Sequence, residues 1–86
     1  MQLGLVVGTA TSTVKHKTLH GQKLLVVQPL MVDGVKPDGD PQIAVDAVGA
    51  GTGERVMITS DGKFVREWVK HENTPIRWSV IGIADQ

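Results

Sequence analysis

Cysteine is absent from the 86-residue sequence, and its absence excludes disulfides, thiolate metal sites and cysteine nucleophiles. Net charge is absent too, because nine Lys and Arg residues balance nine Asp and Glu residues. A neutral chain has no overall field that would attract nucleic acid or an anionic membrane. No segment approaches the run of about 20 apolar residues that crosses a bilayer, and residues 1–8 lack the cationic lead-in of a signal peptide. We therefore expect a soluble cytoplasmic protein with no membrane partner.

The chain is also short, at 9.2 kDa, which leaves room for one domain over residues 1–86. Area scaling predicts that folding buries only about 63% of the unfolded surface. Chains of this size usually need disulfides, a metal or partner subunits for stability. Because disulfides are excluded, self-association is the leading prediction for how the chain buries more surface.

Glycine recurs at short intervals and divides the chain into brief apolar segments, which is typical of β-structure. Within residues 62–71, four apolar side chains share one face of a short helix: Phe64, Val65, Trp68 and Val69. Closure into a barrel would remove exposed strand edges. The predicted fold is an all-β, closed five-stranded barrel with one short helix. The predicted strands are residues 3–10, 23–30, 42–46, 55–59 and 76–84.

Residues 24–27 are continuously apolar, which predicts a strand that is covered on both faces. In a domain this thin, we expect one of the covering surfaces to belong to another subunit. Leu24 and Val26 are therefore predicted interface residues.

The glycine-rich stretch 47–54 invites comparison with nucleotide-binding loops but matches neither template. A P-loop requires lysine after its last glycine, whereas Glu54 follows Gly53 here, and a dinucleotide fingerprint opens a helix rather than a strand. These glycines are better explained by backbone positions with positive φ or by close approach between chains. Gly49, Ala50 and Gly51 are the small residues that would permit such an approach.

No catalytic set can be assembled from the sequence. His16 and His20 have a spacing that could bind a metal, and His71 beside Glu72 could act as a base, but neither pair has further partners in the pattern. Asp33, Asp38, Asp40 and Asp61 adjoin glycine or proline and indicate turns. Asp46 and Asp85 could form a carboxylate pair, although hydrogen bonds to local backbone N–H groups are the favoured interpretation.

A nucleic-acid-binding barrel is the alternative from a different functional class, because five-stranded barrels often stack single-stranded bases on aromatic side chains. This chain has three aromatic residues, Phe64, Trp68 and Trp78, and two of them share the predicted helix face. The neutral net charge does not support a basic groove. A small-ligand or metal binder that uses His16 and His20 is a third possibility.

Three segments together resemble the EutN/CcmL family, the vertex proteins of bacterial microcompartment shells. The first contains Leu3, Val6, Gly8 and Thr9, then Lys15, Leu19 and Gly21, then Lys23-Leu24-Leu25-x-Val27-Gln28-Pro29-Leu30. The second is Val45-Asp46-Ala47-Val48-Gly49-Ala50-Gly51-x-Gly53-Glu54-x-Val56. The third is Pro75-Ile76 followed by Val80-Ile81-Gly82-Ile83-x-Asp85. They occur in the family's order and cover most of the chain.

The resemblance implies an OB-like barrel that assembles as a cyclic homopentamer and closes the corners of a polyhedral shell, in the cytoplasm. It also implies partners, the hexameric and trimeric shell proteins, and it implies no enzymatic activity, no cofactor and no metal. The predicted subunit interface or five-fold axis consists of Gly49, Ala50, Gly51, Leu24 and Val26.

Overall fold

The chain forms a closed β-barrel. The computed structural model describes residues 1–10, 23–60, 63, 65, 67 and 76–84. Its strands are β1 (Gln2–Thr9), β2 (Leu24–Pro29), β3 (Gln42–Asp46), β4 (Arg55–Thr59) and β5 (Trp78–Ile83). They are hydrogen-bonded in the order β1-β2-β3-β5-β4, and pairing of β4 with β1 closes the barrel. The predicted all-β barrel is therefore confirmed. Within the predicted helix, Lys63, Val65 and Glu67 are helical, and the other residues of that segment lie outside the described part of the chain.

Two irregularities bend the strands into the barrel. β3 and β5 run parallel, whereas the other four strand pairs of the barrel are antiparallel. The register of β1 against β2 shifts between Val6 and Gly8, and that of β4 against β5 shifts between Met57 and Ile58. A bulge of this kind increases the local twist and bends the strand, which a small barrel needs in order to close.

The barrel interior is a cluster of small and medium-sized apolar side chains. Alternate residues of each strand point into it, as the two-residue period of a strand requires. Ala50 enters the interior from the loop after β3, and Trp78 packs against it from the beginning of β5. The buried members of the cluster are Val6, Leu25, Val27, Ala44, Ala50, Val56, Ile58 and Val80.

A second apolar cluster covers the outer face of β2 and β3. Leu24 and Val45 are buried in it together with Val65 of the helical segment, and Val26 and Ile43 pack against it. The remaining buried members are Ala10 and Ile76. Residues 24–27 are thus covered on both faces, as predicted. The cover on the outer face, which we expected from a second subunit, is supplied by this chain's own residues.

Gly4 sets how closely β1 approaches β2 inside the barrel. A Cβ atom added at Gly4 would lie 2.5 Å from Cγ1 of Val27, which is fully buried. Among the residues that the structure describes, none beyond its chain neighbours places an atom within 4 Å of the equivalent position at Gly8, on the same strand. The small residues of β1 therefore include one position where a side chain is excluded by packing and one where it is not.

We expect Gly4→Ala to lower the free energy of unfolding by about 1–3 kcal/mol, because the added methyl must displace Val27 in a packed interior. Gly8→Ala is the matched control on the same strand. It should be neutral or stabilising by up to about 1 kcal/mol, since alanine restricts the unfolded chain without a clash in the folded one. Urea unfolding at one fixed protomer concentration measures both. Equal effects of the two substitutions would contradict this account of Gly4.

Candidate functional site

The loop of residues 47–54 connects β3 to β4 at one end of the barrel. Gly49 and Gly53 have φ angles of 82° and 91°, a left-handed conformation that favours glycine. Between them, Ala50 turns its methyl group into the barrel interior, where it is fully buried. The loop is therefore anchored at its centre and exposes Gly49, Thr52 and Gly53 to solvent.

The carboxylate of Asp46, the last residue of β3, holds the first half of this loop. Its Oδ1 atom accepts hydrogen bonds from three successive backbone N–H groups, those of Val48 (3.1 Å), Gly49 (2.9 Å) and Ala50 (3.3 Å). Asp46 is buried, with 8% of its surface exposed. This geometry confirms the prediction of local hydrogen bonds for Asp46; Asp85 lies outside the described residues.

Lys23 completes the arrangement from the residue before β2. Its Nζ atom lies 3.1 Å from Asp46 Oδ2 and donates a hydrogen bond to the carbonyl oxygen of Ala50 at 2.9 Å. Burial acts to raise the pKa of Asp46, but the N–H donors of Val48, Ala50 and Gly49 and the Lys23 ammonium outweigh it and hold that pKa below its ordinary value. Asp46 therefore stays ionised at neutral pH.

Glu54 fixes the second half of the loop. Its Oε1 atom accepts the N–H of Gly51 at 2.6 Å, and its own N–H donates to the carbonyl oxygen of Gly51 at 3.1 Å. The N–H groups of residues 48–51 therefore all donate to carboxylates of the chain itself. A phosphate would need those donors, so the loop lacks the chemistry of a nucleotide site.

The five predicted interface residues differ in how much surface they present. Gly49 is exposed, and Gly51 and Val26 are partly exposed. Ala50 and Leu24 are buried within this chain, in the barrel interior and the second cluster respectively. The assignment of these residues to a subunit interface stays a prediction, and the side chains of Ala50 and Leu24 contribute to it only by shaping the chain's own core.

Sequence reasoning left out Val48, whose apolar side chain this loop presents to solvent. It is 40% exposed, in the first half of the loop, which Asp46 holds in place. The sequence feature that could have indicated Val48 is an apolar residue inside a glycine-rich loop, because such a loop otherwise needs no large side chain.

The other candidate sites do not assemble among the described residues. His16, His20, His71, Glu72 and Asp61 lie outside them, as do Phe64 and Trp68. The residues that the structure describes contain no group of three or more potential metal ligands. Oδ1 of Asp33 accepts the N–H groups of Val35 (2.9 Å) and Lys36 (3.0 Å), which confirms the turn predicted there. Trp78 packs on the barrel core instead of standing free as a stacking platform.

No helix within the described ranges is both long and apolar enough to cross a membrane.

Comparison with known proteins identifies the family. The model of the family described as "Ethanolamine utilisation protein EutN/carboxysome" matches residues 1–85. The chain belongs to the EutN/CcmL family. The vertex protein GrpN of Rhodospirillum rubrum is 45% identical over 85 residues, which cover 99% of this chain and 93% of GrpN. The vertex protein EutN of Escherichia coli is 42% identical over 86 residues, covering 100% of this chain and 88% of EutN.

Solved structures of the EutN/CcmL family have the same fold. The structure described as GrpN pentameric microcompartment shell protein from Rhodospirillum rubrum superimposes with a TM-score of 0.77 at 44% identity, covering 100% of this chain and 95% of that one. A carboxysome subunit, CcmL, superimposes with a TM-score of 0.81 at 40% identity, covering 99% of this chain and 86% of that one. The family relationship therefore extends along the whole barrel.

We expect Asp46→Ala to lower the free energy of unfolding by about 1–3 kcal/mol, because loop N–H groups lose their acceptor in a buried position. The wild-type chain should also lose stability in acid. The pKa of Asp46 is lower in the folded state than the ordinary value of 3.8, so its contribution is present above that value and is lost as the pH falls below it. Asp46→Ala should show a shallower loss over that range in urea unfolding measured between pH 7 and pH 2.

Asp33→Ala is the control for Asp46, since the Asp33 carboxylate also accepts two backbone N–H groups but sits in an exposed turn. It should cost less stability than Asp46→Ala. Because the N–H groups of Val35 and Lys36 also hold the pKa of Asp33 below its ordinary value, Asp33→Ala should remove its own part of the acid dependence and leave that of Asp46 in place. Equal losses of stability in the two variants would contradict the expectation that burial makes the hydrogen bonds of Asp46 more important than those of Asp33.

Proposed function

We propose that this chain forms the pentameric vertices that close the polyhedral shell of a bacterial microcompartment. The observation that carries the proposal is the full-length match, in sequence and in barrel geometry, to GrpN, which is described as a pentameric microcompartment shell protein. The proposal treats residues 1–86 as one barrel domain, with a structural role and no enzymatic activity, cofactor or nucleic acid. It locates the protein in a shell within the cytoplasm.

The function follows from symmetry. Hexagonal tiles by themselves form flat sheets, and a closed polyhedron requires pentagons at its corners. A cyclic pentamer uses heterologous contacts, in which one patch of a subunit meets a different patch of its neighbour and rotation closes the ring. The partners would be four further copies of this chain around each axis, and the hexameric and trimeric shell proteins around each ring.

The barrel carries surface suited to such contacts. Its described residues expose several large apolar side chains outside the two core clusters, and one that a rigid backbone holds in place is preorganised for a contact. Val48 meets that condition, because the hydrogen bonds of Asp46, Lys23 and Glu54 fix the backbone around it. A contact surface that is already ordered loses little conformational entropy on association. We infer that the loop of residues 47–54 faces the neighbouring subunit near the five-fold axis.

Native mass spectrometry of the purified full chain at neutral pH should show a species with five times the mass of the chain. Light scattering after size exclusion provides the same measurement in solution. A chain that stays monomeric across micromolar concentrations would contradict the proposed vertex function. Salt-sensitive retention of such a monomer on single-stranded DNA would favour the nucleic-acid-binding alternative.

Val48→Arg should abolish the pentamer while the barrel stays folded. Around a five-fold axis the substitution places one new cation per subunit close to its equivalents, and their repulsion acts within the Debye length of about 10 Å at 0.1 M salt. Size exclusion at low salt measures the loss, far-UV circular dichroism verifies the fold, and high salt should partly restore assembly. Ala50 is unsuited to this test, because a large side chain there would disrupt the chain's own interior.

Val32→Arg is the matched control, since Val32 is a fully exposed valine in a different loop. It should leave the pentamer intact. If Val48→Arg assembled normally and Val32→Arg did not, the placement of the loop near the axis would be wrong although the pentamer itself could stand.

A further inference from the structure

The sequence contains three Asp-Gly pairs, and the structure describes two of them, Asp33-Gly34 and Asp38-Gly39. An Asp-Gly pair is chemically labile when the backbone nitrogen of the glycine can reach the carboxyl carbon of the aspartate, because glycine has no side chain that would hinder the approach. The two described pairs lie close together in the chain, but their backbone and side-chain groups are bound differently. Their reactivities should therefore differ.

The backbone nitrogen of the first pair is engaged. Gly34 lies in the hairpin of residues 30–37, which is closed by the bridge between Leu30 and Pro37. The N–H of Gly34 donates to the carbonyl oxygen of Met31 at 2.8 Å, and Gly34 is buried. This nitrogen can attack a neighbouring carboxyl group only after its hydrogen bond breaks.

The carboxylate of the first pair is engaged as well. Oδ1 of Asp33 accepts hydrogen bonds from the N–H groups of Val35 at 2.9 Å and Lys36 at 3.0 Å. These two N–H groups also hold the pKa of Asp33 below its ordinary value, so the protonated form, which can lose its hydroxyl as water, is scarce. The hairpin therefore protects Asp33-Gly34 at both reacting atoms.

The second pair lacks this protection. Gly39 is exposed with a φ of 76°, and none of the described residues accepts a hydrogen bond from its N–H. The position of its missing Cβ has no atom within 4 Å from any described residue beyond its chain neighbours. Among the described residues, Gln2 alone donates to the carboxylate of Asp38, through Nε2 to Oδ2 at 2.8 Å. That bond is exposed, so water competes for it and the carboxylate can turn toward Gly39.

We propose that Asp38-Gly39 is a site of spontaneous isomerisation of aspartate to isoaspartate. The inference is independent of the proposed vertex function. The backbone nitrogen of Gly39 attacks Cγ of the protonated Asp38 carboxyl and forms an N–Cγ bond, while the carboxyl hydroxyl leaves with the amide proton as one molecule of water. The product is a five-membered succinimide ring that joins the two residues.

Water then adds to one of the two carbonyl carbons of the succinimide and opens the ring. Opening at Cγ restores aspartate, whereas opening at the main-chain carbonyl carbon of residue 38 gives isoaspartate. The water released in the first step is regained in the second, so the mass of the chain does not change. The conversion needs no oxidant, reductant or enzyme.

Isoaspartate would separate this part of the chain from the end of β2. The N–H of Asp38 donates to the carbonyl oxygen of Pro29 at 2.8 Å, and the carbonyl oxygen of Gly39 accepts Nε2 of Gln28 at 2.9 Å. Isomerisation inserts one additional carbon atom into the main chain between these two contacts. Both contacts cannot then keep their geometry.

Incubation of the purified full chain at neutral pH should produce isoaspartate at residue 38. Electron-transfer fragmentation of its peptides distinguishes isoaspartate from aspartate at each position, and digestion with Asp-N protease, which does not cut before isoaspartate, provides a second readout. Residue 38 should isomerise at least about tenfold faster than residue 33, because each hydrogen bond that must break at residue 33 slows the reaction there by about fivefold. The third pair, Asp61-Gly62, lies outside the described residues and is followed separately by the same fragmentation.

Asp38→Glu should abolish isomerisation at residue 38, since glutamate would have to close a less favourable six-membered ring. Asp33→Glu is the matched control and should leave the rate at residue 38 unchanged. In guanidinium chloride, which unfolds the chain, the wild type should isomerise at both positions at similar rates, because only the folded structure distinguishes them.

Two results would overturn the proposal. One is a folded chain that forms no isoaspartate at residue 38, or forms it no faster there than at residue 33. The other is a difference between the two positions that stays equally large in the unfolded chain, since the hydrogen bonds of the folded chain could not then be its cause. Neither result would affect the proposed vertex function.

Discussion

The carboxylate of Asp46 connects the barrel to the loop that carries the candidate interface. One oxygen holds three successive N–H groups of the loop, and the other lies beside the Lys23 ammonium. Because the carboxylate is buried at the end of β3, its hydrogen bonds fix the loop to the rigid sheet. Ala50 can then seal the barrel interior while Val48 points to solvent. The core and the proposed assembly surface thus depend on the same side chain.

Size explains why this barrel needs two apolar clusters and still suits assembly. Interior side chains of a five-stranded barrel must be small, and alanine and valine fill most of the space. The second cluster, in which Val65 covers Leu24, adds burial on the outer face of β2 and β3. This cover makes residues 24–27 part of the chain's own core. The pentamer is therefore supported by the family relationship with GrpN and by the exposed loop surfaces. The apolar strand, from which we expected a second subunit to cover the barrel, does not support it.

The short strands were predictable because turn residues bound them. The predicted third and fourth strands agree with β3 and β4 at both ends. Each strand is bounded by turn residues: Pro41, the 47–54 loop and the sequence around Asp61. β5 begins two residues later than predicted, at Trp78. Buried and exposed residues do not alternate strictly in β5, because Ser79 and Val80 are both buried. Ser79 lies beside Val45 on the side of the second cluster, and Val80 lies in the barrel interior. A barrel wall that is covered on both sides has no face toward solvent, so buried and exposed residues need not alternate along its strands.

The sequence by itself determined the β class, the glycine-dependent turns, the lack of a cysteine-based or strongly charged site, and the family, because these depend on residue type and local spacing. Only the tertiary structure decided which residues face outward. It placed Ala50 and Leu24 inside and left Val48 and the tip of the 30–37 hairpin in solvent. The physical reason is that a side chain becomes buried only when the barrel closes around it. Whether an apolar side chain meets its own barrel or water depends on which distant strands complete the wall beside it, and neighbouring residues in the chain do not encode that choice.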